Sequence, residues 1–236
     1  MLSATSMTDA LKRQASIAAL DEIHSGMIVG LGTGSTVVHF IRELGARVAA
    51  GLKIAGIPTS EESRRLAEEV GVPLTSFKEH PVIDVTVDGA DEVSPALDLI
   101  KGLGGALVRE KIVAHASKRV VIVVDETKLV DKLGIKTVIP VEVIPLAADR
   151  VVLQLKEWGG EVRIREKDGQ WFISDNGNVI LDWKHGVVEQ PAPLEKQVKL
   201  VTGVVDSGIF AGVAQRVIVA GASGIRSLER KMGSYP

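Results

Sequence analysis

The chain has no cysteine, which excludes disulfides, thiolate metal ligands and a cysteine nucleophile, and fits a reducing compartment. Aromatic residues make up only 3% of its 236 residues, too few for platforms on which bases or sugars stack. Positive charge is not in excess. Lys and Arg number 28 against 30 Asp and Glu, for a net charge of −2, and with no basic stripe a nucleic-acid partner is not expected. No apolar run reaches the length of a membrane span, and residues 1–25 lack the continuous apolar core of a secretory signal. A cytoplasmic protein with no membrane partner is expected, with residues 1–7 as a loose leader. What is present is ordinary for a folded protein: 45% hydrophobic and 25% charged residues can bury one large domain, or a domain plus a smaller one.

Residues 88–110 bring several carboxylates and a lysine together with a glycine-rich turn. The stretch reads Asp88-Gly-Ala-Asp91-Glu92, an apolar run to Ile100, then Lys101-Gly-Leu-Gly-Gly105, with Glu110 just inside a helical pattern. Carboxylates and ammonium groups crowd together at a cost unless they pair or do chemistry. The stretch is therefore a candidate proton-transfer site.

The rest of the chain gives that stretch a frame. A helical spacing over residues 8–25 precedes a strand at 27–30, which runs into Leu31-Gly32-Thr33-Gly34-Ser35-Thr36 and a second helix. Strand, glycine turn and helix make an anion site, because glycine lets the backbone approach and the first amides of the helix are unbonded. The glycines at 30, 32 and 34 do not match the dinucleotide fingerprint, and no Gly-Lys-Ser/Thr completes a triphosphate loop. The hydroxyls of Thr33, Ser35 and Thr36 suit a phosphate monoester; an ordinary βα turn with a serine cap explains the same residues.

Further strands are predicted at 53–58, 82–87 and 119–124, alternating with helices, so a mostly parallel sheet with helices on both faces follows. Ligands of such sheets sit beyond the strand C-termini. Residues 33–36, 59–60, 88–91 and 125–128 all fall there. From about residue 138 the pattern changes to a strand at 138–144, a helix at 147–158, β-rich runs around Asp168-Gly169 and Asn176-Gly177, a helix at 193–200 and an extended run at 201–205. Asn-Gly between apolar runs signals a hairpin, and this order suggests a small split-βαβ unit. A last apolar strand at 216–221 returns to the first sheet. The expected division is 1–137 with 207–236, and 138–206.

Each candidate residue has a plainer explanation. Asp88 and Asp91 suit turns or helix caps, and a metal site finds no supporting histidine pair. Lys101 suits a surface lysine paired with Asp98, and Lys128 a solvated lysine in a mixed run. Glu110, roughly opposite a helical face carrying Val108 and Ile112, suits a base that takes a proton and gives it back, and equally an exposed helix-start glutamate beside Lys111. The five histidines form no triad or ligand motif; His39 and His115 are expected at the core edge.

The set of segments taken together resembles the type A ribose-5-phosphate isomerases. The resemblance covers Gly30-Leu-Gly-Thr-Gly-Ser-Thr36, Pro58-Thr-Ser60, Asp88-Gly-Ala-Asp-Glu92, Ile100-Lys-Gly102, Gly104-Gly-Ala-Leu107, Arg109-Glu-Lys111 and the Lys128 segment. Pro140-Val-Glu-Val143, Asp175-Asn-Gly-Asn178 and Gly203-Val-Val205 extend it. It implies a Rossmann-like domain with a ferredoxin-like second domain that serves oligomerisation, in a homodimer or homotetramer. It also implies interconversion of ribose 5-phosphate and ribulose 5-phosphate without metal or other cofactor. Glu110 falls on the catalytic base. Substrate contacts fall on Thr33, Gly34, Ser35, Thr36, Asp88, Gly89, Ala90, Asp91, Lys101, Gly102, Leu103, Gly104 and Lys128. Asp88, Asp91 and Lys101 assist catalysis, Lys101 by stabilising an oxyanion and Asp88 by helping to open the sugar ring. Leu103 departs from the family's run of glycines, and leucine takes positive φ only at a cost, so a different local backbone is expected there. A sugar-phosphate sensor of the same fold, or a coenzyme A transferase relative with Glu110 as nucleophile, are the alternatives.

Overall fold

A computed structural model describes residues 4–230. In chain order the helices are α1 (Ala4–Ala19), α2 (Ser35–Ala49), α3 (Glu61–Glu69), α4 (Leu107–His115), α5 (Ala148–Glu157) and α6 (Pro191–Lys199). The strands of the first half are β1 (Ile28–Leu31), β2 (Ala55–Pro58), β3 (Ile83–Asp88), β4 (Glu92–Val93), β5 (Leu99–Ile100), β6 (Ser117–Asp125) and β7 (Ile139–Val143). Those of the second half are β8 (Glu161–Ile164), β9 (Glu166–Lys167), β10 (Gln170–Trp171), β11 (Val179–Lys184), β12 (Val204–Ser207), β13 (Ile209–Phe210), β14 (Arg216–Gly221) and β15 (Gly224–Glu229). The chain forms two compact units: Met1–Ala90, Arg109–Lys128 and Val213–Pro236 make the first, Asp91–Val108 and Leu129–Gly212 the second.

The first unit is built on one sheet of order β2-β1-β3-β6-β14-β15, parallel throughout except for β15. Counting only the parallel strands, the order is 2-1-3-4-5, a doubly wound sheet whose order reverses between β1 and β3. Alternate residues of β3 and β6 (Val85, Val87, Val121, Val123) pack with Phe40, Ile41 and Leu44 of α2 and with Ala15 and Ala19 of α1. The spacing 37, 40, 41, 44 is the apolar stripe that makes α2 a core helix. On the other face Val113 of α4 packs with Ile57 and Ile83.

Helix α3 starts where its sequence says. Ser60 accepts the N–H of Ser63 in an N-cap that contributes about 1 kcal/mol. Helix α1 begins at Ala4, so residues 4–7 are helical rather than a loose leader; residues 1–3 lie outside the described residues. Two features escaped the sequence reading. The apolar run after Glu92 is a short hairpin, β4 with β5, and the antiparallel edge strand β15 follows β14.

The second unit carries an antiparallel sheet of order β12-β7-β11-β8, with α5 and α6 packed on Val141, Val143, Leu181 and Trp183. Numbered within the unit this is 4-1-3-2 with the connections β-α-β and β-α-β, the ferredoxin-like arrangement that the sequence order suggests. Asp168 and Gly169 both take positive φ, 55° and 77°, which gives a type I′ turn between β9 and β10. At Asn176-Gly177 only Gly177 is left-handed, and the loop closes through Gly177 N–H to the Ser174 carbonyl and Ser174 N–H to Asn178. The strand predicted at 201–205 begins instead at Val204, because residues 200–203 finish and reverse α6.

The second unit also takes in residues 91–108, 129–137 and 207–212. Strand β5 pairs with both β4 and β13, and Val93 bridges Leu129. Glu92, fully buried, accepts the N–H groups of Gly134 (2.6 Å), Lys136 (2.7 Å) and Thr137 (2.6 Å) and the Thr137 hydroxyl (3.1 Å). Four donors balance the cost of burying that carboxylate.

Candidate active site

In the first unit the residues gather at the C-terminal edge of the sheet, where β1 and β3 reverse the strand order. Asp88, buried at the end of β3, accepts the backbone N–H of Thr33 at 3.0 Å and that of Gly89 at 2.7 Å. Gly32 permits this approach: a Cβ there would lie 2.2 Å from Asp88 Oδ1 and 2.6 Å from its Cα. Gly34 takes φ 104° and caps α2, and the first helical bond is Val38 N–H to the Gly34 carbonyl. The amides of Ser35, Thr36 and Val37 thus lack helical acceptors and face outward with the positive end of the helix dipole.

Thr33 serves this turn differently from the expectation. Its hydroxyl lies 2.7 Å from that of Thr59, 2.8 Å from Ser60 and 3.2 Å from Ser63, while Ser63 donates to the Gly32 carbonyl at 2.5 Å. The hydroxyl is turned into a buried cluster that ties the β1 turn to α3. Ser35 keeps an exposed hydroxyl, and Lys12 of α1 donates to it at 2.9 Å. Lys12 was missed by the sequence reading. It lies on another helix, 23 residues upstream, and no local pattern links it to the turn. Lys128 closes a 3-10 turn after β6, half-buried and on the same edge.

Glu110 sits on α4, which runs back from the C-terminal edge of the sheet towards β6. Val113 lies against Gly30, where a Cβ would meet Val113 Cγ1 at 2.8 Å, and Arg109 donates to Glu61 at the start of α3 at 2.9 Å. Glu110 is three residues, about 4.5 Å of helix, nearer the edge than Val113. It is 4% exposed, and Lys111 is buried beside it, so the solvent-exposed glutamate of the plainer explanation is not what forms. Glu110 lies opposite Ile112, as the spacing gives; Ile112 is 53% exposed, and the side with Leu107 and Glu110 is the buried one. His39 is half-buried as expected, whereas His115 is exposed.

The second unit holds the other candidates around one turn. Asp91 N–H donates to the Ile100 carbonyl at 2.8 Å, and Asp91 Oδ2 accepts the N–H of Leu103 at 3.0 Å. Lys101 is 3% exposed, with its ammonium 5.6 Å from the centre of the Phe210 ring, and is no surface lysine. Positive φ falls on Gly102 (101°) and Gly105 (88°), and Leu103 is not left-handed. The turn therefore puts its left-handed residues at Gly102 and Gly105, and Leu103 bears no positive-φ cost. Gly104 is exposed beside it. Glu92 stands in the Asp88–Glu92 motif but was given no role in the sequence, and Arg165, which also shapes this region, belongs to no motif with a chemical signature.

A doubly wound sheet whose switch point gathers a buried aspartate and a helix N-terminus, in a chain that also carries a ferredoxin-like unit, defines a Rossmann-like α/β enzyme. Residues 55–224 match the family model described as Ribose 5-phosphate isomerase A (phosphoriboisomerase A). The chain is 48% identical over 234 residues to the ribose-5-phosphate isomerase A of Bradyrhizobium diazoefficiens, covering 94% of this chain and 97% of that protein. Among solved structures, a D-ribose-5-phosphate isomerase in complex with phospho-erythronic acid is similar at 40% identity, with a TM-score of 0.93 and coverage of 94% and 99%. The ribose 5-phosphate isomerase A of Methanocaldococcus jannaschii follows at 43% identity, with a TM-score of 0.91 and the same coverage. The chain belongs to the ribose 5-phosphate isomerase A family and is an isomerase.

Proposed function

We propose that this chain interconverts ribose 5-phosphate and ribulose 5-phosphate through an enediolate, with Glu110 as the base and no metal ion. Glu110 takes the C2 proton of the open-chain aldose. The C2–H electron pair becomes the C1–C2 double bond, and the carbonyl pair moves onto O1. Return of the proton to C1, with the O2 proton passing to O1, leaves the 2-ketose. A single carboxylate serves both carbons because they are adjacent. Lys101 stabilises the oxygen that carries the developing charge. Asp88 and Asp91, with Gly89 and Ala90 between them, hydrogen-bond the sugar hydroxyls, and Asp88 assists ring opening. Gly102, Leu103 and Gly104 line the sugar with backbone groups.

The phosphate is bound by the turn at Thr33 and Gly34, by the first amides and hydroxyls of Ser35 and Thr36, and by Lys12 and Lys128. The support for this reading is a helix N-terminus with Lys12 already at Ser35. One observation carries the catalytic assignment: Glu110 is a buried carboxylate at the ligand-bearing edge of the sheet, on a helix that packs against β1. The test is conversion of ribose 5-phosphate to ribulose 5-phosphate by the purified protein in excess chelator. Turnover is expected; tight sugar-phosphate binding with no turnover would favour a sensor.

The second unit, drawn in sequence as residues 138–206, serves assembly into a homodimer or homotetramer in this reading. Leu146, Leu153 and Leu200, all well exposed on that unit, support it. Among the described residues no helix is long and apolar enough to cross a membrane.

A further inference from the structure

The Gly102–Leu103 peptide is held from both sides. In a trans peptide the C=O and N–H point in opposite directions. Here the N–H of Leu103 goes to Asp91, while the Gly102 carbonyl accepts Arg165 Nη1 at 3.1 Å and the N–H of Gly105 at 2.9 Å. The same Nη1 reaches the Leu103 carbonyl at 2.9 Å. The rest of the guanidinium is committed to Asp182, with Nε at 3.0 and 3.2 Å from its two oxygens and Nη2 at 2.5 Å from Oδ1. Its face lies 5.8 Å from the centre of the Phe172 ring, and that ring occupies the space where a Cβ on Gly105 would sit, 2.5 Å away. The Arg165 side chain is only 12% exposed.

We propose that Arg165, oriented by Asp182, is a positioning residue for the isomerisation. It locks the Gly102–Leu103 peptide against flipping and so fixes the turn that carries Lys101 and engages Asp91. Apart from Asp182, every hydrogen-bond acceptor of this guanidinium belongs to that turn, not to the sheet or a helix. A planar fork with its donors in one fixed geometry can hold two carbonyls and a carboxylate at once; a lysine ammonium cannot. Sequence alone hides the link, because Arg165 stands 62 and 63 residues from its two acceptors. The inference rests on the proposed reading of residues 101–104 as substrate-contacting.

The test compares Arg165→Lys and Asp182→Asn with the unmodified protein in kcat, KM, thermal midpoint, and affinity for phospho-erythronic acid and for inorganic phosphate. Arg165→Lys is expected to lower kcat about tenfold to a hundredfold, the scale of a misplacement near 1 Å, with KM and inorganic phosphate affinity within about twofold. Phospho-erythronic acid, whose carboxylate carries a negative charge that the substrate's oxygen gains only in the transition state, should bind about tenfold more weakly. Asp182→Asn keeps the contacts to the turn but loosens their orientation, and should give a smaller loss of kcat in the same direction. Unchanged kcat and phospho-erythronic acid affinity in a folded Arg165→Lys protein would overturn the inference, whatever the thermal midpoint does. If Arg165→Lys does not fold, unchanged kcat in Asp182→Asn overturns it instead. Lys101→Met separates the two readings. If it retains full kcat, the assignment of the turn itself fails; if it is inactive while Arg165→Lys is fully active, only the positioning role falls.

Discussion

Asp88 Oδ1 accepts the amide of Thr33 at 3.0 Å, so the carboxylate ending one strand sets the turn that ends its neighbour. The contact spans the point where the strand order reverses, and it joins the proposed sugar end of the site to the proposed phosphate end. Turn and carboxylate are placed together or not at all.

Gly32→Ala tests that dependence. The added methyl would meet the Asp88 side chain and its Cα, and backbone does not yield cheaply. A stability loss of about 1–3 kcal/mol by urea denaturation is expected, with a fall in kcat. Gly34→Ala, with open space around it but φ 104°, should lose about 1–2 kcal/mol through backbone strain alone. An unaltered Gly32→Ala enzyme would show that the close approach is dispensable.

Glu110→Gln removes the base and keeps the shape. We expect kcat to fall about 10²–10⁴-fold, the usual range for a general base, while phospho-erythronic acid binding by calorimetry stays close to that of the unmodified enzyme. Retained turnover would take Glu110 out of the mechanism.

Lys12→Ala and Lys128→Ala should each raise KM with little change in kcat, because a phosphate is held alike in ground and transition states. The loss of one charge-assisted hydrogen bond, about 1.5–3 kcal/mol, corresponds to roughly tenfold or more in KM. Steady-state kinetics at low and high salt decides it; an unmoved KM for either variant removes that lysine from the phosphate site.

Asp84 supplies a stability term that depends on pH. The Lys118 ammonium at 2.8 Å, and then the N–H of Ile28, hold its carboxyl below the usual aspartate range. A depressed folded value means that the contribution is fully present above the unfolded pKa, about 3.9, and is lost as pH falls through the lower folded value. Asp84→Asn should therefore lower the melting temperature near pH 7, and the gap to the unmodified protein should close in strong acid. A gap that is constant from pH 2 to 7 would contradict this.

Glu92→Gln puts an amide where four donors expect an oxygen anion. The loss should be about 3 kcal/mol, typical of breaking a buried charged network, read as a lowered denaturation midpoint with an unchanged slope. A loss under about 1 kcal/mol would mean that the four bonds do not hold the second unit together.

Much of this was legible in the chain because periodicity and punctuation report local physics. The βα repeats, the Ser60 cap and the ferredoxin-like order all follow from apolar spacing and turn residues. What stayed hidden depends on tertiary pairing. Strands β4 and β5 are two residues each and leave no alternation to read. Which face of α4 is buried could not be read from hydrophobicity, because the fold leaves Ile112 exposed and buries Glu110. Lys12, Glu92 and Arg165 act on residues far along the chain, Lys12 through the Ser35 hydroxyl and the other two largely through backbone groups that every residue carries. Leu103 raised a concern only because the sequence does not show which positions of a glycine-rich turn are left-handed.

The cluster of Thr33, Thr59, Ser60 and Ser63 has a consequence for how the anion end responds to its surroundings. Its members are hydroxyls, each able to give or take a proton in a hydrogen bond, and none gains or loses charge across the range in which proteins stay folded. This hydroxyl half of the clamp, unlike the Asp88 carboxylate that holds the Thr33 amide, is thus indifferent to acidity. Below neutrality the hydroxyl cluster should therefore add no titration of its own to phosphate-ester binding, to which the ester's second ionisation near pH 6 contributes.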